Sequence, residues 1–173
     1  MSVTTLLSFA EFEQFPDDGY KHELLEGEHV MAPPAEFNHS DCQHRIQDLL
    51  RPRAKGRGRI YLETGFQIGE HSWLQPYVSL VTNEQIQRRA GKYLQGSPLL
   101  AIEVVSESNT ADEIEHKTRL FLKHGAEEVW VVYPKPRCIW VYRGGETSAT
   151  CHTDELRSHI FPDLRLDVKA LFA

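Results

Sequence analysis

The run Leu99-Leu100-Ala101-Ile102-Glu103-Val104-Val105 decides how this chain folds. All but one of its residues are apolar and they do not alternate with polar ones, which is the pattern of a strand covered on both faces. Such a strand needs packing layers on each side of its sheet, so the run predicts an α/β arrangement around a mixed central sheet. The same run carries a conflict, because Glu103 sets a carboxylate inside it. A buried ionised carboxylate is costly unless it meets a metal or a strong partner. Three readings stand: a metal ligand, an ion pair with a nearby Arg, or a side chain leaving at a ragged sheet edge.

Working outward, Thr110-Ala111-Asp112-Glu113 has the spacing of a capping box and predicts a helix to about His124, closed by Gly125. Within it Ile114, Lys117 and Phe121 share one face at spacings of three and four, so an ammonium lies on the stripe turned to the core. Either the lysine stem snorkels to solvent, or its head reaches the Glu103 strand, where it can orient a water nucleophile and stabilise charge on a phosphate. VWVVYP (129–134) and CIWVYR (138–143) predict a hairpin across Lys-Pro-Arg, with Gly144-Gly145 closing it, and LRLDVKALFA ends the chain as a strand-to-helix turn.

Toward the N-terminus, Ser8 and Glu11 cap a short helix bearing Phe9, Phe12 and Phe15. Glu26-Gly27 forms the turn of a β-hairpin that Pro33 and Pro34 terminate. Cys42, Ile46, Leu49 and Leu50 mark a helix from about Asn38 that Pro52 stops. RIYLETGFQIG (59–69) and WLQPYVSLV (73–81) each read as one strand, and residues 83–98 as a looser segment. One domain spans residues 1–173.

With 19 Lys+Arg against 25 Asp+Glu, the net charge of −6 argues against a protein that coats nucleic acid. Basic charge is instead local: Arg51, Arg53, Lys55, Arg57 and Arg59 form a loop suited to phosphate contacts, or an ordinary solvated face. The three cysteines have no C-x-x-C spacing, which suits a reducing, cytoplasmic compartment. The first fifteen residues lack the basic start and apolar stretch of a signal peptide, and no run is long enough to cross a membrane. Nucleotide-binding glycine loops, H-E-x-x-H and a nucleophile elbow around Ser106 or Ser108 are all absent. Glu63 is a further carboxylate that could join Glu103 around a hard cation such as Mg²⁺, and Glu23 and Glu28 are similar candidates, with Glu26 a turn residue.

HELLEGE (22–28), the Pro76 strand, AIEVVSES (101–108), the Lys117 helix ending in HGAEEVWVV, and FPDLRLDVKALF (161–172) together resemble the Uma family of restriction endonuclease-like proteins, within the PD-(D/E)XK superfamily. The resemblance covers nearly the whole chain. It implies a restriction endonuclease-like fold, a mixed central β-sheet flanked by helices with an N-terminal β-hairpin. It implies Mg²⁺ (or Mn²⁺) bound by Glu103 and by an Asp after Pro76, with a Lys assisting attack of water on a phosphodiester of nucleic acid, DNA foremost. In the superfamily's simplest pattern that Lys lies two residues after the Glu, here Val105, and the family resemblance points instead to Lys117. The expected catalytic residues are therefore Glu103, Lys117 and Glu63, and a homodimer is the expected assembly.

The chain departs from the pattern at Tyr77, which stands in the place of the metal-binding Asp. A phenol, with an ordinary pKa of about 10, is a poor ligand for a hard cation. Tyr133 stands where Asp-Pro is usual, and Glu107 replaces a Pro between two serines. The sequence thus describes an Mg²⁺-dependent endonuclease impaired at position 77. The alternative is a catalytically degenerate module that binds nucleic acid or protein on the same fold.

Overall fold

The computed structural model describes residues 6–89 and 91–173; residues 1–5, part of the stretch read for a leader, lie outside it. In chain order the elements are α1 (Phe9–Phe12), β1 (Lys21–Leu25), β2 (Glu28–Ala32), α2 (Phe37–Leu50), β3 (Gly58–Leu62) and β4 (Phe66–Gln67). Next come β5 (Trp73–Leu74), β6 (Val78–Thr82), α3 (Asn83–Gln87), β7 (Leu94–Gln95), β8 (Leu100–Val104) and α4 (Ala111–Lys123). The chain ends with β9 (Glu128–Tyr133), β10 (Cys138–Arg143), β11 (Thr150–His152), β12 (Glu155–Leu156), β13 (Leu166–Asp167) and α5 (Val168–Leu171).

β8 is buried along its whole length and sits inside a six-stranded sheet of order β11-β10-β9-β8-β6-β3. It runs parallel to β9 and antiparallel to β6, so the sheet is mixed. One face of β8, through Leu100, Ile102 and Val104, packs with Ile46 and Leu50 of α2 and with Leu164 and Val168 of the C-terminal segment. On the opposite face Ala101 packs with Val129 and Val131 of β9 and with Ile114 and Phe121 of α4. Glu103 alternates with Ala101, so it points to the α4 side.

The N-terminal hairpin does not join this sheet. β1 and β2 belong to a second sheet of order β2-β1-β5-β4-β7. The hairpin turn is formed by Glu26 (φ 47°) and Gly27 (φ 89°), two left-handed residues as a two-residue turn requires. Two segments read from sequence as single strands are each divided between the sheets. The chain leaves the main sheet after β3, where Glu63 takes φ 47°, makes β4 and β5 in the second sheet, and returns at Pro76-Tyr77 to begin β6. Pro76 has no N–H for a ladder, which marks the break. Gly65 admits the first crossing, because a Cβ there would lie 1.8 Å from the Trp73 ring. The segment read as loose contains a helix, α3, closed by a reciprocal cap between Thr82 and Gln85.

α4 starts as the sequence predicts, with Thr110 accepting from the Glu113 amide. Only half of the capping box forms, since the Glu113 carboxylate accepts instead from Asn109 Nδ2 at 3.1 Å. Ile114, Lys117 and Phe121 are all buried on its inner face.

At the other end of the sheet Glu128, first residue of β9, fastens the C-terminal segment. Its carboxylate accepts from Ser158 Oγ and the His159 amide at 2.7 Å, from Trp130 Nε1 at 3.0 Å and from Arg143 Nε at 3.2 Å. Glu128→Ala strands these donors and leaves Arg143 only its longer ion contact to Glu146 at 3.7 Å, so urea unfolding is expected to show a loss of about 3 kcal/mol.

Candidate functional site

The site forms where the two sheets meet, and strand register accounts for it. Val78 faces Ile102 across the β6–β8 pair, which brings Tyr77, one residue earlier, beside Glu103, one residue later. β1 of the second sheet supplies Lys21 and Glu23, and α4 supplies Lys117 from its inner face.

Lys117 is the centre of the arrangement. Its Nζ lies 2.8 Å from Glu23 Oε2 and 3.0 Å from Glu103 Oε1. Glu23, Glu103 and Lys117 are 5%, 1% and 2% exposed, so two carboxylates and one ammonium are sealed from water together. The contact to Glu23 is a directed hydrogen bond, whereas Glu103 Oε1 meets the ammonium only as an ion contact. Glu23 Oε1 also accepts from the Gln75 amide at 2.6 Å.

These contacts divide the two carboxyls. Burial opposes ionisation of Glu23, but Lys117, Lys21 and the Gln75 amide together outweigh it and hold the carboxyl below the ordinary range. At Glu103 burial prevails over the attraction of Lys117 and Lys21, and the carboxyl is pushed up. Burial also opposes the charge on Lys117, yet Glu103 and Glu23 hold the ammonium far above its usual range. The lysine is therefore a permanent cation and not a general base at neutral pH.

Tyr77 closes the site from the other side. Burial, reinforced by the charge of Glu103, drives its phenol well above the ordinary value, so it stays protonated. The Lys21 Nζ stands 3.8 Å from the centroid of the Tyr77 ring, within cation–π range, and 3.7 Å from Glu23 Oε1. Thus a second ammonium lies where the resemblance expects carboxylate and metal. His39 of α2 meets the same ring edge-on, with centroids 4.2 Å apart. Burial, helped by the Lys21 charge, lowers its pKa to about 4, so it is neutral near pH 7.

The residues present do not fit a resident Mg²⁺. A hard cation requires several free oxygen ligands. Here Lys117 is shared by both buried carboxylates, Lys21 adds a second positive charge, and the tyrosine is neutral. Among the described residues no group of three His, Cys, Asp or Glu is arranged to hold an ion.

The other residues named from sequence lie apart to differing degrees. Glu63 is exposed at the end of β3 and accepts from Gln43 Nε2 at 3.0 Å; the same amide donates to the Tyr77 carbonyl at 3.3 Å. It borders the site without joining the ion cluster. Glu28 is exposed on β2. Arg51, Arg53, Lys55, Arg57 and Arg59 follow the C-terminal end of α2, whereas His39 is in its first turn, so the basic loop is about 20 Å away along the helix. Arg53 and Arg57 are partly committed there, Arg53 to Asp163 and the Leu49 carbonyl and Arg57 to the Ile160 carbonyl.

Lys21 carries no signal in the sequence, and His39 reads there with His44 as a pair without metal-ligand spacing, one of nine histidines expected mostly at the surface, whereas it is buried. Neither belongs to a motif, and β1 gave no sign of which sheet it would enter. Glu23 was one of three equivalent carboxylates, and only its position opposite Lys117 singles it out.

A family model described as putative restriction endonuclease (Uma2) matches residues 9–169. The chain belongs to that family. A crystal structure of a putative nuclease belonging to DUF820 from Anabaena variabilis ATCC 29413 superposes with a TM-score of 0.84 at 22% identity, covering 96% of this chain and 97% of that one. The likeness shows that this Uma2 protein has the nuclease-like fold, as its sequence implied. No curated protein matches it. No helix among the described residues is long and apolar enough to cross a membrane.

Two outcomes follow from the site. Lys117→Met leaves Glu23 and Glu103 facing each other in the core with only Lys21 nearby, and urea unfolding is expected to show a loss of about 3–5 kcal/mol. For His39, the unfolded chain binds a proton near the ordinary 6.5 while the folded chain refuses it until about 4. Its contribution therefore lowers stability as pH falls between those values, by on the order of 3 kcal/mol in total. Relative to His39→Gln, the unmodified protein should lose stability between pH 7 and pH 4, measured as the difference between their unfolding free energies at each pH.

Proposed function

We propose that this Uma2 protein engages nucleic acid on a nuclease fold in which metal-dependent phosphodiester hydrolysis is disabled at position 77. The observation that carries the reading is Tyr77, a neutral phenol beside Glu103 with the Lys21 ammonium held against its ring. In the two-carboxylate arrangement that the family resemblance implies, the second acid and Glu103 would share a divalent cation that polarises the phosphate and activates water. Here Lys21 and Lys117 already balance Glu23 and Glu103, so a divalent ion would have to displace ammonium groups and dehydrate without a second free carboxylate.

Nucleic acid as the partner rests on membership of the family and on local positive charge. Lys55 on the loop after α2 and Arg59 at the start of β3 are exposed and make no ion pair among the described residues, so they can contact phosphates without sequence preference. A homodimer and a cytoplasmic setting belong to the same proposal.

The test is Tyr77→Asp assayed beside the unmodified chain on plasmid and single-stranded DNA with Mg²⁺ or Mn²⁺. The unmodified chain is expected to leave DNA intact at every metal concentration. Tyr77→Asp is expected to gain Mn²⁺ binding by calorimetry and measurable nicking, both lost again in Tyr77→Asp/Glu103→Gln. Divalent-dependent cleavage by the unmodified chain, abolished by Glu103→Gln, would overturn the reading and establish an active Mg²⁺-dependent endonuclease.

A further inference from the structure

Above Tyr77 opens a cleft of about 690 Å³, bounded by the first turn of α2, the loop after β8 and the β9–β10 turn. Its size is that of a site for one nucleotide-sized molecule. Part of the wall is flat and apolar, formed by Tyr133 and four prolines, Pro33, Pro34, Pro134 and Pro136, and it faces the polar loop Ser106–Asn109 after β8. Rings of this kind accept the face of a base, and stacking tolerates any sequence because every base has such a face.

The floor holds a polar group without a partner. His39 is 8% exposed and lines the cleft, and its Nε2 makes no hydrogen bond in the structure. A buried polar atom left open in this way is costly unless something meets it. A base edge carries the donors and acceptors that could satisfy it.

The rim carries both signs, with Glu36 and Glu107 lining the cleft beside Lys135. Lys135 and Arg137 project from the β9–β10 turn, Lys135 lining this cleft and Arg137 the shallow depression next to it, with Asn38 common to both. Arg137 has no ion pair among the described residues, and its backbone is fixed in the left-handed region at φ 53°. Lys135 pairs with Glu107, but both side chains are more than three-quarters exposed, so a phosphate can compete for it. A base-paired duplex is about 20 Å thick and cannot present a base face here without unpairing.

We infer that this cleft takes one unstacked nucleotide of a single-stranded nucleic acid, the base against Tyr133 and the prolines with its edge at His39 Nε2, and the phosphate at Lys135 and Arg137. The inference rests on the proposed engagement of nucleic acid and adds its form, a single strand, and its place. The exposed basic loop beyond α2 would contribute attraction that does not discriminate strand from duplex.

The experiment is fluorescence anisotropy with a labelled decathymidylate strand, a ten-base-pair duplex and, as competitor, thymidine monophosphate, at low salt. The strand is expected to bind at least tenfold more tightly than the duplex, with the monophosphate a far weaker competitor. Lys135→Ala/Arg137→Ala, both on the surface and harmless to folding, should weaken the strand about tenfold and flatten its salt dependence. Lys55→Ala/Arg59→Ala should weaken strand and duplex by the same factor. A 5-iodouracil strand should photocrosslink to Tyr133 in the unmodified protein. Duplex binding equal to strand binding, indifference to Lys135→Ala/Arg137→Ala, crosslinks elsewhere, or a monophosphate as effective as the strand would each overturn this assignment while leaving nucleic-acid engagement in place. Failure of both strand and duplex to bind would overturn the proposed function and this assignment together.

Discussion

Lys117 places one ammonium between two buried carboxylates, and much of the molecule is arranged to keep it there. The helix that carries it must be capped at Thr110 so that its inner face falls on β8 and β9. Glu103 must occupy the α4 side of β8, and Glu23 must arrive from a different sheet. An ion pair this deep contributes little net stability compared with an apolar replacement, because desolvating the charges offsets their attraction. What it does supply is a penalty for misplacing any member, so it ties the register of β8, the rotation of α4 and the docking of the N-terminal hairpin to one another.

Tyr77 changes what that cluster can do. With an acid at position 77 the site would carry three carboxylates and a surplus of negative charge, which a divalent cation could relieve. With tyrosine there, and Lys21 lying against its ring, the described groups come close to electrical balance without a metal. The three positions at which the resemblance expects other residues are not scattered. Tyr77, Glu107 and Tyr133 all line the cleft above the cluster, although they come from three separate segments of the chain.

The electrostatic layout follows the same division. The basic loop at residues 51–59, prominent in the sequence, ends up at the far end of α2 from the ion cluster, and two of its arginines are used to hold neighbouring backbone carbonyls. Lys135 on the cleft's rim and Arg137 in the depression beside it are unremarkable in the sequence, because they are only two residues of a hairpin turn. Linear density of charge was therefore a poor guide to where charge acts, since a helix of fourteen residues is enough to carry a cluster about 20 Å away from a site that its own first turn helps to form.

The sequence alone determined the elements whose signals are local. A nearly continuous apolar run made β8, and a Thr cap and an apolar stripe made α4; the charges set within them, Glu103 and Lys117, stood out, but the sequence left open a metal ligand, an ion pair or an exit to solvent. The left-handed turn at Glu26-Gly27 and the β9–β10 hairpin were legible for the same reason, as each is specified by a few adjacent residues. Tertiary structure decided everything that depends on pairing between distant segments. The stretches 59–69 and 73–81 each look continuous, yet they cross between sheets at Glu63 and Pro76, because strand propensity does not encode which neighbour a strand will bond. That crossing is what sets β1 beside the end of β8, selects Glu23 from three similar carboxylates, and lays Lys21 and His39 against Tyr77.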